Sequence, residues 1–539
     1  MSKTTSAPSG QPAEDCASNW FSLARDLTLK MVEQPSITGT PGEACFAPWL
    51  MQELSQWTCF QRHSHHLWLM PTLNDTCERP ILFALVRGQG PETVILTGHY
   101  DVVGTENFGH LSSLAFHPEA LKEALLSGAL PAKVEQDLQQ GFLPGRGMLD
   151  MKSGLAAGLT VLHEWDPSTQ GNLLFIAVPD EEETSLGMRS AVQMLPEVLK
   201  QHDLTLVAAI NLDATTDQET GEDGQAIFLG SVGKLLPFVW IQGCPTHSGA
   251  PIDGINAAFL SSELVRLLEW NPAFGEGGED PAPPITVLYQ SEIRSRYDVT
   301  TPAQAWTVFN VLTHHRRPAD VLNSLKEACI QSFADALQTL HRRQFQFVPD
   351  HQATVLTFQE LVERASQCDP EGTRDALSQN PKLDARAASR ECCTSLAALA
   401  RISGPAYVVG FAPPFYPSTL LGDSEQEIHV RSCMQEVVGG LQKDGLSLKV
   451  RSFYPGISDM SFIAPRLGPQ DLETWAQNAA VPERWTVPDV PLNCPVVNIG
   501  PWGRDYHQKW ERVHEGHAFG WLPEVLQRAC LALLSSGES

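Results

Sequence analysis

The sequence predicts an α/β protein: a mainly parallel sheet with helices on both faces, interrupted by an inserted α+β domain. Three observations carry that expectation. Short Leu-rich and β-branched runs alternate with helix-like segments as far as Leu212. The pattern changes after a plausible hinge at Gly230–Gly233. Of 539 residues, 42% are hydrophobic and 19% charged, enough to bury a sizeable core and to exclude global disorder.

The elements follow in order. Trp20 to Val32 carries apolar residues at helical spacing and stops at the Gln34-Pro35-Ser36 break. Strands are expected over Ile81–Val86, Thr93–Thr97, Leu173–Val178 and Leu206–Leu212, with helices over Gly154–Trp165 and Met188–Lys200. Strands alternating with helices in this way form parallel sheets covered on both faces, and such sheets collect ligands at the carboxyl ends of their strands. Beyond the hinge, strands Leu235–Ile241, Ile285–Tyr289 and Trp306–Val311 mix with helices Asn256–Trp270 and Ala319–Arg343. Residues 1–232 and 413–539 are assigned to one discontinuous catalytic domain and 233–412 to the insert.

Charge and cysteine usage exclude several classes. Lys and Arg number 37 against 63 Asp and Glu, a net charge of −26, which argues against a nucleic-acid groove or an anionic membrane surface. The 12 cysteines are scattered without a CxxC pair, as expected of reduced thiols in the cytoplasm. The first eighteen residues hold no apolar run suited to a signal peptide, and no stretch is long and apolar enough to span a bilayer.

Five segments carry chemistry. His99-Tyr100-Asp101 lies where a strand runs out, so both side chains project from one face; His99 can ligate a metal while Asp101 holds its other N–H. Gly145 to Gly154 turns tightly before a helix and leaves Asp150 at the junction. Asp180-Glu181-Glu182-Glu183 follows an apolar strand directly, where four acids repel one another unless cations are present. Asp213 marks another strand exit, and His507 follows the glycine-rich Asn498 to Gly503 stretch. His99, Asp150, Glu182, Asp213 and His507 together offer two imidazoles and three carboxylates. If Asp150 bridges, each of two divalent ions has three protein ligands and an open position, as in catalytic zinc sites. Glu181, beside the ligand Glu182, is then the natural general base. Zinc is expected, with Mn or Co also suited to a carboxylate-rich set. His514 and His517 compete with His507 for the last ligand position.

These segments resemble the signature of the di-zinc aminoacylase/ArgE/DapE/carboxypeptidase superfamily. His99-Tyr100-Asp101 matches its H-x-D, Gly147 to Gly154 its G-x-x-D-x-K-x-G, and Asp180-Glu181-Glu182 its D-E-E. The resemblance implies a metal-dependent hydrolase that cleaves an amide bond of a small peptide or N-acyl amino acid. It pairs His99 and Asp213 on one zinc, Glu182 and His507 on the other, with Glu181 as base. It reads the insert as a lid that dimerises, and Gly243 to Ala257 as the lid segment whose histidine, His247, stabilises the oxyanion. It also places Gly456-Ile457-Ser458-Asp459 near the site. Thr184 stands where relatives commonly have glycine; with the long intervals from Glu182 to Asp213 and from His247 to Asp459, and with Phe411 to Pro417, this looks most like the RocB-type branch, named for arginine utilisation. Arg294 and Arg296 are candidate anchors for a substrate carboxylate. The competing function is a non-catalytic, metal-binding regulatory protein on the same scaffold.

Overall fold

A computed structural model describes residues 16–217, 225–277, 281–294, 298–343, 352–378, 383–454, 456–482, 492 and 494–535. Residues 1–15, most of the stretch read for a signal peptide, and Arg296 lie outside the described residues. The chain divides into two compact units, Met1–Ser231 with Thr419–Pro465 and Pro488–Ser539, and Val232–Ser418 with Arg466–Val487.

The first unit is built on an eight-stranded sheet in the spatial order Leu67–Pro71, Pro80–Val86, Gln170–Val178, Gln89–His99, Thr205–Asn211, Val496–Asn498, Ala226–Phe228, Lys449–Arg451. Its four middle strands, from Gln170–Val178 to Val496–Asn498, run parallel. Pro80–Val86 runs antiparallel to both of its neighbours. Its pairing with the edge strand Leu67–Pro71 is a hairpin because only eight residues separate Pro71 from Pro80, too short a link for a crossover. Alternation along the strands sorts the two faces. Leu82, Leu96 and Phe175 join a core with the helices Pro41–Leu54, Ser153–His163, Glu425–Lys443 and Leu522–Leu534. Phe83, Ile95 and Leu174, one position along, are equally buried and face the side of the helix Leu186–Gln201. Ser153–His163 can lie close to the sheet because Gly154 has no side chain: a Cβ there would sit 2.1 Å from the Leu212 carbonyl oxygen.

The second unit holds a five-stranded sheet, Thr286–Glu292, Gln304–Thr313, Gly233–Gln242, Ala406–Tyr416, Thr354–Thr357, antiparallel except for the last pair. Helices Ala257–Leu268 and Pro318–Arg343 pack on each other, and a helical layer, Phe358–Cys368 to Ala385–Leu399, covers Phe238, Trp240 and Trp306. The expected boundaries need two corrections. The strand Ala406–Tyr416 runs unbroken across the boundary placed at 412, so the unit extends to Ser418. Residues 466–487, assigned above to the catalytic domain, belong with the insert: Trp475 of the helix Pro469–Asn478 stacks on Phe415 at 5.3 Å, and the Asn478 carboxamide accepts the Gln359 N–H. No helix among the described residues is long and apolar enough to cross a membrane, and their cysteines carry thiols in place of disulfides.

Candidate metal centre

The donors collect at the carboxyl ends of the parallel strands of the first unit. His99 is the last residue of its strand, Asp213 stands two residues past Asn211, and Glu181 and Glu182 follow the strand Gln170–Val178. Asp150 sits in the turn Met148–Lys152 that opens the helix Ser153–His163. That turn begins at Gly147 with φ +77°, a left-handed position where a Cβ would also press to 2.8 Å from Val102. Glu511 braces it: its Oε1 accepts the N–H groups of Gly147 at 2.9 Å and of Leu149 and Asp150 at 3.4 Å, while Oε2 pairs with Arg146. His507 lies between the strands Trp502–Arg504 and Arg512–His514 with φ +61°, and its carbonyl accepts from the Asn107 side chain at 2.8 Å.

All five donors converge. His99, Asp150 and Asp213 form one triad and Asp150, Glu182 and His507 another, each with ligand atoms within 4.8 Å of one another. Asp150 belongs to both. Its Oδ1 is 3.1 Å from His99 Nε2 and its Oδ2 3.0 Å from His507 Nε2. His507 Nε2 is also 2.9 Å from Glu182 Oε1, and His99 Nε2 is 3.9 Å from Asp213 Oδ1. Glu181 Oε2 stands 4.0 Å from His99 Nε2 and belongs to neither triad. Behind Asp213, the Asn498 amide donates to its carbonyl at 2.9 Å and accepts its N–H at 3.2 Å; Asn498 in turn accepts from Asn211, which also donates to Ser458. That contact brings the expected Gly456–Asp459 turn to the same strand ends.

The electrostatics suit divalent cations. Burial and then the neighbouring Asp150 push Asp213 up to about 8. Burial raises Glu182, with Asp150 adding to it, and raises Glu181 well above the carboxylate range despite the relief His99 gives. Burial and nearby acids hold Asp459 at about 7. Burial opposes a charge on His507, but the Asp150 and Glu182 carboxylates outweigh it and lift the imidazole to about 11. Ionised carboxylates this close, and this far from water, demand positive charge, and imidazole with carboxylate is a donor set that zinc, manganese and cobalt accept. The residues therefore fit a dinuclear site.

Two expectations change. The Asp101 carboxylate does not take the second N–H of His99: Nδ1 lies 3.0 Å from the Asp101 backbone carbonyl oxygen and 3.6 Å from the carboxylate. That carboxylate is committed instead to the backbone N–H groups of Glu181 at 3.1 Å and Glu182 at 3.2 Å and to the Thr38 hydroxyl at 2.9 Å. Arg294, proposed as an anchor, is paired with Glu292 and Asp298 and donates to the Thr300 carbonyl. His247, on the insert, is exposed, and its Nδ1 accepts the Gly249 N–H at 3.0 Å. The competitors of His507 have packing roles: His517 accepts the Trp502 N–H at 3.2 Å, and His514 accepts the His517 N–H and meets the Phe142 ring edge-on. Sequence reasoning missed Glu43, Arg79 and the bracing role of Glu511. A lone acid at helical spacing from the apolar Phe46, Ala47, Leu50 and Leu54 was the signal for Glu43.

With this geometry in place, the comparisons decide the family. Residues 95–475 match Peptidase family M20/M25/M40. The chain belongs to this family. It is 33% identical to the YqjN protein of Bacillus subtilis strain 168, over 97% of this chain and 98% of that one. It is 29% identical to protein RocB of the same strain, over 95% of this chain and 94% of that one. A tripeptidase structure from Staphylococcus aureus Mu50 superposes with a TM-score of 0.52 over 96% of this chain and 99% of that chain; at 13% identity the likeness is one of fold. M20 membership thus assigns the chain to the hydrolases, with RocB among its near relatives.

Proposed function

We propose that the protein is a dinuclear metal-dependent amidohydrolase or exopeptidase, cleaving an amide bond of a small peptide or an N-acyl amino acid. The sharing of Asp150 carries the reading: each of its oxygens meets a different imidazole, each imidazole closes a triad with a further acid, and Glu181 stands outside both triads. His99, Asp150 and Asp213 would hold one divalent ion, and Asp150, Glu182 and His507 the other. Bound there, two such ions supply Lewis acidity toward water and the scissile carbonyl. Zinc is the proposed metal, with manganese or cobalt as alternatives.

The chain's own residues divide the remaining work. Glu181 takes a proton from the attacking water and passes it to the leaving amine, a task favoured by burial that raises its proton affinity. Asp101 orients Glu181 and Glu182 through their backbone N–H groups. His247 is the proposed donor to the developing oxyanion, from its own chain or a partner copy. The substrate is a small molecule; nucleic acid and membrane are not proposed partners of a chain with net charge −26. A cytoplasmic location agrees with the thiols carried by the described cysteines. The insert is proposed to pair with a second copy through the outer strand Thr286–Glu292, which exposes Leu288 and Tyr289; sedimentation of the protein as a monomer would rule this out.

The deciding experiment strips the protein with a chelator, reloads it with Zn²⁺, Mn²⁺ or Co²⁺, and screens dipeptides and N-acyl amino acids. Hydrolysis by the reloaded protein alone is expected. Two bound ions with no turnover on any substrate would favour the regulatory reading.

A further inference from the structure

Asp180 begins the segment that presents Glu181 and Glu182, and its backbone sits in the left-handed region at φ +68°. A residue with a Cβ stays there only where its surroundings enforce it. Buried side chains do so here. Arg79, 5% exposed, places Nη1 at 2.5 Å from Asp180 Oδ1 and 3.1 Å from Glu43 Oε1, while its Nε and Nη2 both reach Asp75 at 2.9 Å. Glu43, fully buried, accepts the N–H of Asp180 at 2.9 Å. The second Asp180 oxygen accepts the Leu186 N–H at 3.1 Å and the Thr184 hydroxyl. Asp101 takes the next two N–H groups, so residues 180, 181 and 182 each donate their backbone N–H to a buried carboxylate.

We propose that Arg79, acting with Glu43, is a positioning residue for the Glu181–Glu182 pair: its guanidinium ties Asp180 to the sheet and so sets where the next two carboxylates point. The inference rests on the reading of Glu181 as proton acceptor and Glu182 as ligand. A guanidinium suits the task because it bonds several carboxylates at once in a rigid fork, which an ammonium cannot copy.

The test compares Arg79→Lys with Leu526→Ala, a cavity variant in the buried helix Leu522–Leu534 that lowers Tm without touching this network. R79K is expected to lower kcat by about 10–100-fold with KM within about twofold, and to weaken Zn²⁺ binding measured by competition with a chelating dye by about tenfold, the size of effect seen when supports of metal ligands are removed. L526A is expected to change neither. Equal kcat and equal Zn²⁺ affinity in R79K and the unaltered protein would overturn the inference. If the unaltered protein hydrolyses nothing, the catalytic reading fails separately, and Zn²⁺ affinity alone decides the role of Arg79. If R79K does not fold, Glu43→Gln, which keeps the side-chain shape, is measured in the same way with the same two outcomes.

Discussion

Glu181 and Glu182 are neighbours in the chain with different surroundings. Glu182 Oε1 meets His507 Nε2 at 2.9 Å, whereas Glu181 lies 4.0 Å from His99 Nε2 and outside both donor triads. Different substitutions should therefore fail differently. Glu181→Gln removes the proton acceptor and keeps the shape; metal content, measured by elemental analysis, is expected to persist while kcat falls by roughly 10²–10⁴-fold. His507→Ala removes the imidazole shared by Asp150 and Glu182, and elemental analysis is expected to show loss of one of two bound ions. An H507A protein that keeps both ions would remove His507 from the ligand set. At this scale the sequence was informative where chemistry is local. His99-Tyr100-Asp101 and Asp180-Glu181-Glu182 name reactive groups by type and spacing. The task of the Asp101 carboxylate was not legible, because its partners are backbone N–H groups 80 residues away.

At the scale of elements, the histidines near the C-terminus illustrate how packing assigns roles. His517 is buried where the six residues Gly516–Trp521 lead into the helix Leu522–Leu534, and burial holds its imidazole down at about 3. A histidine ordinarily titrates near 6.5, so between about 6.5 and 3 the unfolded chain binds a proton that the fold refuses. This contribution to stability is intact above the unfolded value and is lost as pH falls through that window. His517→Asn retains an acceptor for the Trp502 N–H and cannot charge. The drop in Tm between pH 7 and pH 4 is expected to be smaller in H517N than in the unaltered protein, as read by calorimetry; equal drops would contradict this account. Most elements were legible from periodicity: the strand expected over Leu173–Val178 forms as Gln170–Val178, and the helix expected over Ala319–Arg343 as Pro318–Arg343. The helices from Phe358 to Leu399 went unassigned because Pro370, Gly372 and the Ser378–Pro381 stretch break the apolar period.

For the molecule as a whole, convergence has an energetic consequence. Three carboxylates of the two triads crowd against the buried His99 and the exposed His507, an arrangement favoured when cations are bound to the folded state alone. Each site saturated at about 100 times its Kd adds about 2.7 kcal/mol to stability. Chelator treatment is expected to lower Tm by several degrees, and stoichiometric Zn²⁺ to restore it, both read by differential scanning fluorimetry; an unchanged Tm would count against a metal in this centre.

The sequence by itself determined the fold class, the presence of an insert and the chemical identity of the five donors, because period, turn residues and side-chain type are local properties of the chain. Only the tertiary structure decided that Asp150 turns one oxygen to His99 and the other to His507, that residues 466–487 rejoin the insert, and that Arg79 and Glu43 hold the acidic segment from behind. Those facts depend on which distant segments are packed together, and packing is settled by the burial of all the faces at once.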